Sequence, residues 1–298
     1  MKRILLSLMT LGTVGAVAFA ATGAFFSDTE TSTDNRFVAG DIDLKIDNES
    51  YAIDYNIPDY QGEPIGALVA SMNTSWALID LTVEKFFDFI DLKPGDYGED
   101  TISIHVGSND AWVCAAAQIT EDADNSITEP EDEMFGTNTD GDDGTIDGDL
   151  DSEIQIAFWV DDGDNVLEDC ADPFTGCVDE TQSIFLSGTV ASMGQEGQIT
   201  LADSDGSILP DDGAIPGDSE FYIAKAWCFG NLTEAALLQD GVGDSRTPLE
   251  GAGIDCDGSG ATNLAQTDSV VGDLEFYAIQ ARNNDEFSCS DWDPSWVQ

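Results

Sequence analysis

The stretch Phe158-Trp159-Val160-Asp161-Asp162-Gly163-Asp164-Asn165-Val166-Leu167-Glu168 ends an apolar run on a knot of acids. A turn at the end of a rigid strand holds Asp161, Asp162, Asp164 and Glu168 near one another. Carboxylate oxygens gathered in this way suit a hard divalent cation, calcium first, at about 2.3–2.6 Å. Preorganisation on the strand end lowers the cost of assembling like charges. The loop Asn138 to Asp149 offers a second set, with Asp140 and Asp142 alternating with other small residues. It is no EF-hand, because Asp143 and Asp149 stand where that loop needs Gly and Glu. The plainer readings are an ordinary Asp-Gly turn for the first stretch and a solvated acidic loop for the second.

Groups for catalysis are few. His105 is the one histidine of the chain, and it alternates with Ile104 and Val106 as a strand residue would, so its role reads as structural. There is no His-Glu-x-x-His to hold zinc and no Gly-x-Ser-x-Gly nucleophile turn. Gly251-Ala252-Gly253 lacks the lysine of a phosphate loop. Paired carboxylates for glycoside hydrolysis carry no weight, since among 60 acidic residues some pair always falls at a suitable separation. The chain is read as a non-enzyme.

The elements that position these acids are written in the apolar pattern. Period-2 alternation recurs at Ile42, Leu44, Ile46; at Ile53, Tyr55, Ile57; at Ile102, Ile104, Val106; at Ile154, Ile156, Phe158; and at Leu274, Phe276, Ala278. Continuous apolar stretches at Ala111 to Ile119 and Phe221 to Phe229 predict central strands covered on both faces. Turn clusters separate them: Lys93-Pro94-Gly95-Asp96, Asp161-Asp162-Gly163-Asp164 and Pro210-Asp211-Asp212-Gly213. The expected fold is an all-β antiparallel sandwich with long acidic loop insertions, chiefly residues 121–153. Few short helices are expected, over Leu81 to Phe89 and over Thr233 to Gln239 capped near Asn231.

Composition bounds the partners. Nine basic residues stand against 60 acidic ones, a net charge of −51, yet 42% of the chain is hydrophobic, enough to bury a core rather than remain an acidic tail. Between Lys93 and Lys225 there is no lysine or arginine. Such a surface calls for high salt or divalent cations, as in a salt-adapted organism, and it excludes nucleic acid and anionic membranes, whose phosphates are bound through Lys and Arg.

The chain opens on Lys2 and Arg3 and an apolar stretch from Ile4 to Ala21, read as an export signal cleaved near Ala24, with Ala20 as the alternative. Residues 1–24 are then the signal peptide and 25–298 one secreted β domain, with no membrane segment after cleavage. Six cysteines, all beyond the signal, fit an oxidising compartment and three disulfides. Cys170 and Cys177, close in one loop, are the favoured pair. Cys228 with Cys256 and Cys114 with Cys289 follow by elimination, other pairings remaining open. Sequons at Asn48, Asn73 and Asn231 are compatible with glycosylation.

Several blocks carry a family resemblance. Ala24-Phe25-Phe26-Ser27-Asp28-Thr29-Glu30, followed by Asn35-Arg36-Phe37-Val38-Ala39-Gly40-Asp41-Ile42-Asp43-Leu44, resembles the start of the TasA/camelysin family, exported with a SipW-type signal peptide. Asp91-Leu92-Lys93-Pro94-Gly95-Asp96 looks like its next hallmark. Ser108 to Cys114, Lys225 to Gly230, and Gln266 to Ser269 continuing through Phe276-Tyr277-Ala278 to Arg282-Asn283-Asn284 are similar to an acidic, cysteine-bearing branch of it. The resemblance implies a secreted jelly-roll sandwich that forms cell-surface or biofilm-matrix fibres, partnered by its own copies or related surface proteins. A flexible N-terminal arm, residues 25–36 with Phe25 and Phe26 at its tip, would add as a strand to a neighbour's sheet edge. The alternatives are a monomeric calcium-binding or adhesive surface module and a camelysin-like metallopeptidase, for which this chain lacks the usual histidines.

Overall fold

A computed structural model of the chain describes residues 42–57, 66–126, 128–129, 148–170, 179–209, 213–239 and 247–297. The β-rich alternation read from the sequence builds two main antiparallel sheets. In chain order the strands are β1 (Leu44–Asp54), β2 (Ala67–Ala70), β3 (Trp76–Ile79), β4 (Tyr97–Val106), β5 (Ala111–Ala123), β6 (Ile154–Asp161), β7 (Glu168–Asp169), β8 (Ile184–Thr189), β9 (Gln198–Asp203), β10 (Gly206–Ser207), β11 (Ser219–Phe229), β12 (Asn231–Glu234), β13 (Leu237–Leu238), β14 (Ile254–Asp257) and β15 (Ser269–Gln280). One sheet runs β2-β1-β4-β11-β6-β8, with β3 also on β1; the other runs β10-β9-β5-β15, and β12-β14 and β13-β7 form separate two-stranded pairs.

The sheets pack face to face. Ile46, Ile102, Ile104, Val106, Phe221 and Ile223 from the first sheet meet Trp112, Val113, Ala115 and Leu201 from the second. The turn before β4 uses its residues as expected: Asp96 N–H donates to the Lys93 carbonyl at 2.8 Å, and Gly95 takes φ +93°, where a side chain would be strained. Gly98 has a different reason, since a Cβ there would lie 2.6 Å from both the Trp227 indole nitrogen and the Tyr51 carbonyl.

The two apolar stretches are central strands. β11 lies between β4 and β6, and β5 between β9 and β15. The outer face of β5 is covered by the C-terminal segment, where Cys114 and Ala116 pack with Cys289 and Trp292, and Trp292 stacks on Tyr277 at 5.2 Å. The bonds Cys114–Cys289 and Cys228–Cys256 are both present. Cys170 is disulfide-bonded as well; its expected partner Cys177 lies outside the described residues.

Sequence and structure part in several places. Residues 81–89 form no helix: Phe86, Phe87 and Phe89 are used one at a time, against Trp76, over Lys225 and against Trp227. The stretch 233–239 is not helical either, because its backbone pairs with other strands, β12 with β14 and β13 with β7. Among the described residues, short helices form instead at α1 (Leu150–Glu153) and α2 (Val190–Met193). Strand β1 stops at Asp54, where the Asp54 carboxylate accepts from Asn56 N–H and turns the chain, leaving Tyr55 and Ile57 outside it. The 121–153 insertion is narrower than expected, since β5 runs on to Ala123, paired with Ser269. Asn48 is buried, its amide donating to the Thr74 carbonyl at 2.7 Å, and so is no glycan acceptor; Asn73 and Asn231 are exposed.

An ion pair sits inside the sandwich. Lys225 on β11 and Asp100 directly opposite on β4 face the inter-sheet core, Nζ to Oδ2 2.9 Å, both fully buried. The Phe86 carbonyl accepts from the ammonium at 3.2 Å, and the Phe87 ring lies 3.5 Å over it. Burial lowers the Lys225 pKa, and burial pushes Asp100 up to about 6 against the pull of Lys225.

Candidate functional site

The registers Ala226↔Glu99, Ala224↔Thr101, Ala224↔Trp159 and Tyr222↔Asp161 place Glu99, Thr101, Trp159 and Asp161 on the outer face of the larger sheet. Small residues in the middle strand, Ala224 and Ala226, leave room there. The turn after β6 folds back over them: Asn165 Oδ1 accepts from Thr101 N–H at 2.9 Å, and Leu167 joins Trp159, Ala224 and Ala226 in an apolar cluster. Gly163 at φ +107° and Asn165 at φ +67° make this reversal, so the Asp-Gly-Asp-Asn run is required by backbone shape as well as by charge.

Acids converge in the fold-back. Asp161 Oδ2 accepts from Thr101 Oγ1 and from Gly163 N–H, each at 3.0 Å, and Asp164 Oδ1 accepts from Val166 N–H. Glu180, at the start of the 3-10 turn Glu180–Gln182, spans the loop: Oε1 accepts from Asp162 N–H and Oε2 from Glu168 N–H, each at 3.0 Å. Asp161, Asp162 and Glu180 each bring one carboxylate oxygen within 4.8 Å of the others'. Asp164 and Glu168 lie outside that trio but beside it, their charges acting on each other. Glu99 backs the cluster from β4, with Asp161 and Asp164 among the charges it meets.

Burial is extreme for so many acids. Glu99, Glu168 and Glu180 are 0% exposed, Asp161 6% and Asp164 8%. Burial is the main cause that pushes the carboxyls up, Asp161 to about 6, Asp164 to about 8, Glu180 to about 10 and Glu99 well above its ordinary value; neighbouring acids add to it. Among the described residues no lysine or arginine ion pair enters the pocket: Lys45, Lys85 and Lys93 pair at the surface and Lys225 on the sheet's other face.

The strand-end acids named from the sequence are thus brought together, while Glu180 and Glu99 carry no sequence signal, because their partners are set only by the fold. Asp140, Asp142, Phe25 and Phe26 lie outside the described residues. His105 is held between two acids of neighbouring strands, Nε2 3.2 Å from Asp47 and Nδ1 3.3 Å from Glu220.

The smaller sheet presents a second feature. β15 is twelve residues long and, among the described residues, pairs on one side only, with β5. Among the described residues, no strand pairs with the backbone groups along its other side, which forms an edge. Among the described residues no helix is long and apolar enough to cross a membrane. Compared with known proteins, the chain matches no family model and no curated protein.

Proposed function

We propose that the protein is a secreted structural subunit of cell-surface or matrix fibres, a jelly-roll-like sandwich whose arm, residues 25–36, adds as a strand to the sheet of a neighbouring subunit. The observation that carries this reading is the twelve-residue edge of β15. An arm of similar length can pair along it, main-chain hydrogen bonds supplying affinity and alternate side chains the register. The disulfides Cys114–Cys289 and Cys228–Cys256 fit export to an oxidising compartment. The acidic pocket favours a second reading, a monomeric calcium-binding surface module. Electron microscopy and size-exclusion chromatography at high salt separate the two. The mature chain is expected to form filaments, and the chain lacking residues 25–36 to remain folded and monomeric. Filaments that persist without the arm, or a mature chain that stays single, would refute assembly by strand addition.

A further inference from the structure

We propose that Asp161, Asp162 and Glu180 bind one calcium ion, which clamps the turn after β6 and the Glu180 segment onto the outer face of the larger sheet. The inference stands apart from the assembly reading and holds for a monomer or a fibre.

Three observations carry it. First, the three carboxylate oxygens lie within 4.8 Å of one another, a span that ligands at about 2.4 Å on opposite sides of one ion can meet. Second, the pocket contains oxygens without a donor: Asp161 Oδ1, Asp164 Oδ2 and both oxygens of Glu99 are buried with no hydrogen-bond partner. An acceptor buried in that state is costly, and a cation satisfies several at once. Third, among the described residues no lysine or arginine forms an ion pair with these acids, so a cation from solution can supply the compensation. The donors are all oxygens, which selects a hard ion over zinc or copper. Calcium is favoured over magnesium because the ligands come from a turn and a separate 3-10 segment, a spread set that suits a large ion of flexible coordination better than a strict octahedron. The backbone fits such a clamp: Glu180 already bridges the Asp162 and Glu168 amides, so the ion would close a loop that the carboxylate has gathered.

The test uses the full mature chain, stripped with a chelator and held at constant high ionic strength. Calcium is expected to raise Tm well beyond an ionic-strength-matched addition of sodium chloride, and more than magnesium does. Terbium gives a direct readout, because the Trp159 indole, two residues from Asp161 on the same strand, can sensitise its emission. Calcium should displace that signal. Glu180→Gln and Asp162→Asn should each weaken binding by more than about tenfold; Asp162 is half-exposed, so its variant keeps the test open should Glu180→Gln fail to fold. Asp140→Asn with Asp142→Asn should leave the response intact. The proposal is overturned if calcium adds nothing beyond matched sodium chloride, or if the response survives in Asp162→Asn and is lost in the Asp140/Asp142 variant.

Discussion

Replacing Lys225 by methionine should destabilise the protein far more than replacing Lys225 and Asp100 together. At 2.9 Å and an effective dielectric of about 20, the attraction between the two charges is about 6 kcal/mol. Taking two ions fully out of water costs several kcal/mol each, so the pair as a whole is close to neutral for stability. Removing one partner keeps the other's desolvation penalty and discards the attraction. Lys225→Met and Asp100→Leu should therefore each lose about 3–5 kcal/mol, whereas the double variant should fall within about 1 kcal/mol of wild type. Methionine retains contact with the Phe86 and Phe87 rings that now lie against the ammonium. Urea unfolding at constant high salt, followed by the fluorescence of buried Trp159 and Trp227, measures all four proteins. Guanidinium is unsuitable because its own ions would screen a chain of net charge −51. Single variants that lose under 1 kcal/mol, or a double variant that loses the sum of the singles, refute the argument.

Two further outcomes follow, one from the disulfides and one from a hydrogen-bonded carboxylate. On loop entropy, removing Cys114–Cys289, with a sequence separation of 175, should cost about 5 kcal/mol, and removing Cys228–Cys256, with 28, about 3.5; thermal melts of the two Cys→Ala pairs should rank in that order. Burial favours the neutral form of Asp203, but hydrogen bonds from Cys289, Asp205, Thr200 and Gly206 outweigh it and hold the carboxyl below its usual range. A depressed carboxyl stabilises above its unfolded pKa and loses that contribution as pH falls through the folded one. Asp203→Asn should therefore cost about 1.5–3 kcal/mol at pH 7, read from urea midpoints, and progressively less as the medium is acidified.

The strands were legible because alternation marks a half-buried strand directly, as at Ile102, Ile104 and Val106, which all turn to the core. The strand-end acids were legible for a related reason: neighbours in sequence at a turn stay neighbours in space. Glu180 was not legible, since it reaches Asp162 and Glu168 from a separate segment. Glu99 and Asp100 are adjacent acids on opposite faces of β4, one behind the acidic pocket and one paired to Lys225, and only the registers with β11 tell them apart. The expected helix at 233–239 failed because local apolar spacing cannot anticipate pairing with β14, a strand tied to the end of β11 by Cys228–Cys256.

The bond from Cys114 to Cys289 also sets how the molecule would answer a pull along its chain. Tension entering at the start of β1 and leaving at the C-terminus crosses the sulfur bridge and bypasses everything between the two cysteines. Rupture of the hydrogen-bonded strands ahead of Cys114 could then release only about 70 residues, roughly 240 Å of contour at about 3.4 Å each. Asp161, Asp162 and Glu180 lie within the bypassed loop, so tension does not run through them while the covalent shortcut holds, and they feel the pull only through the loss of β4, whose Thr101 donates to Asp161.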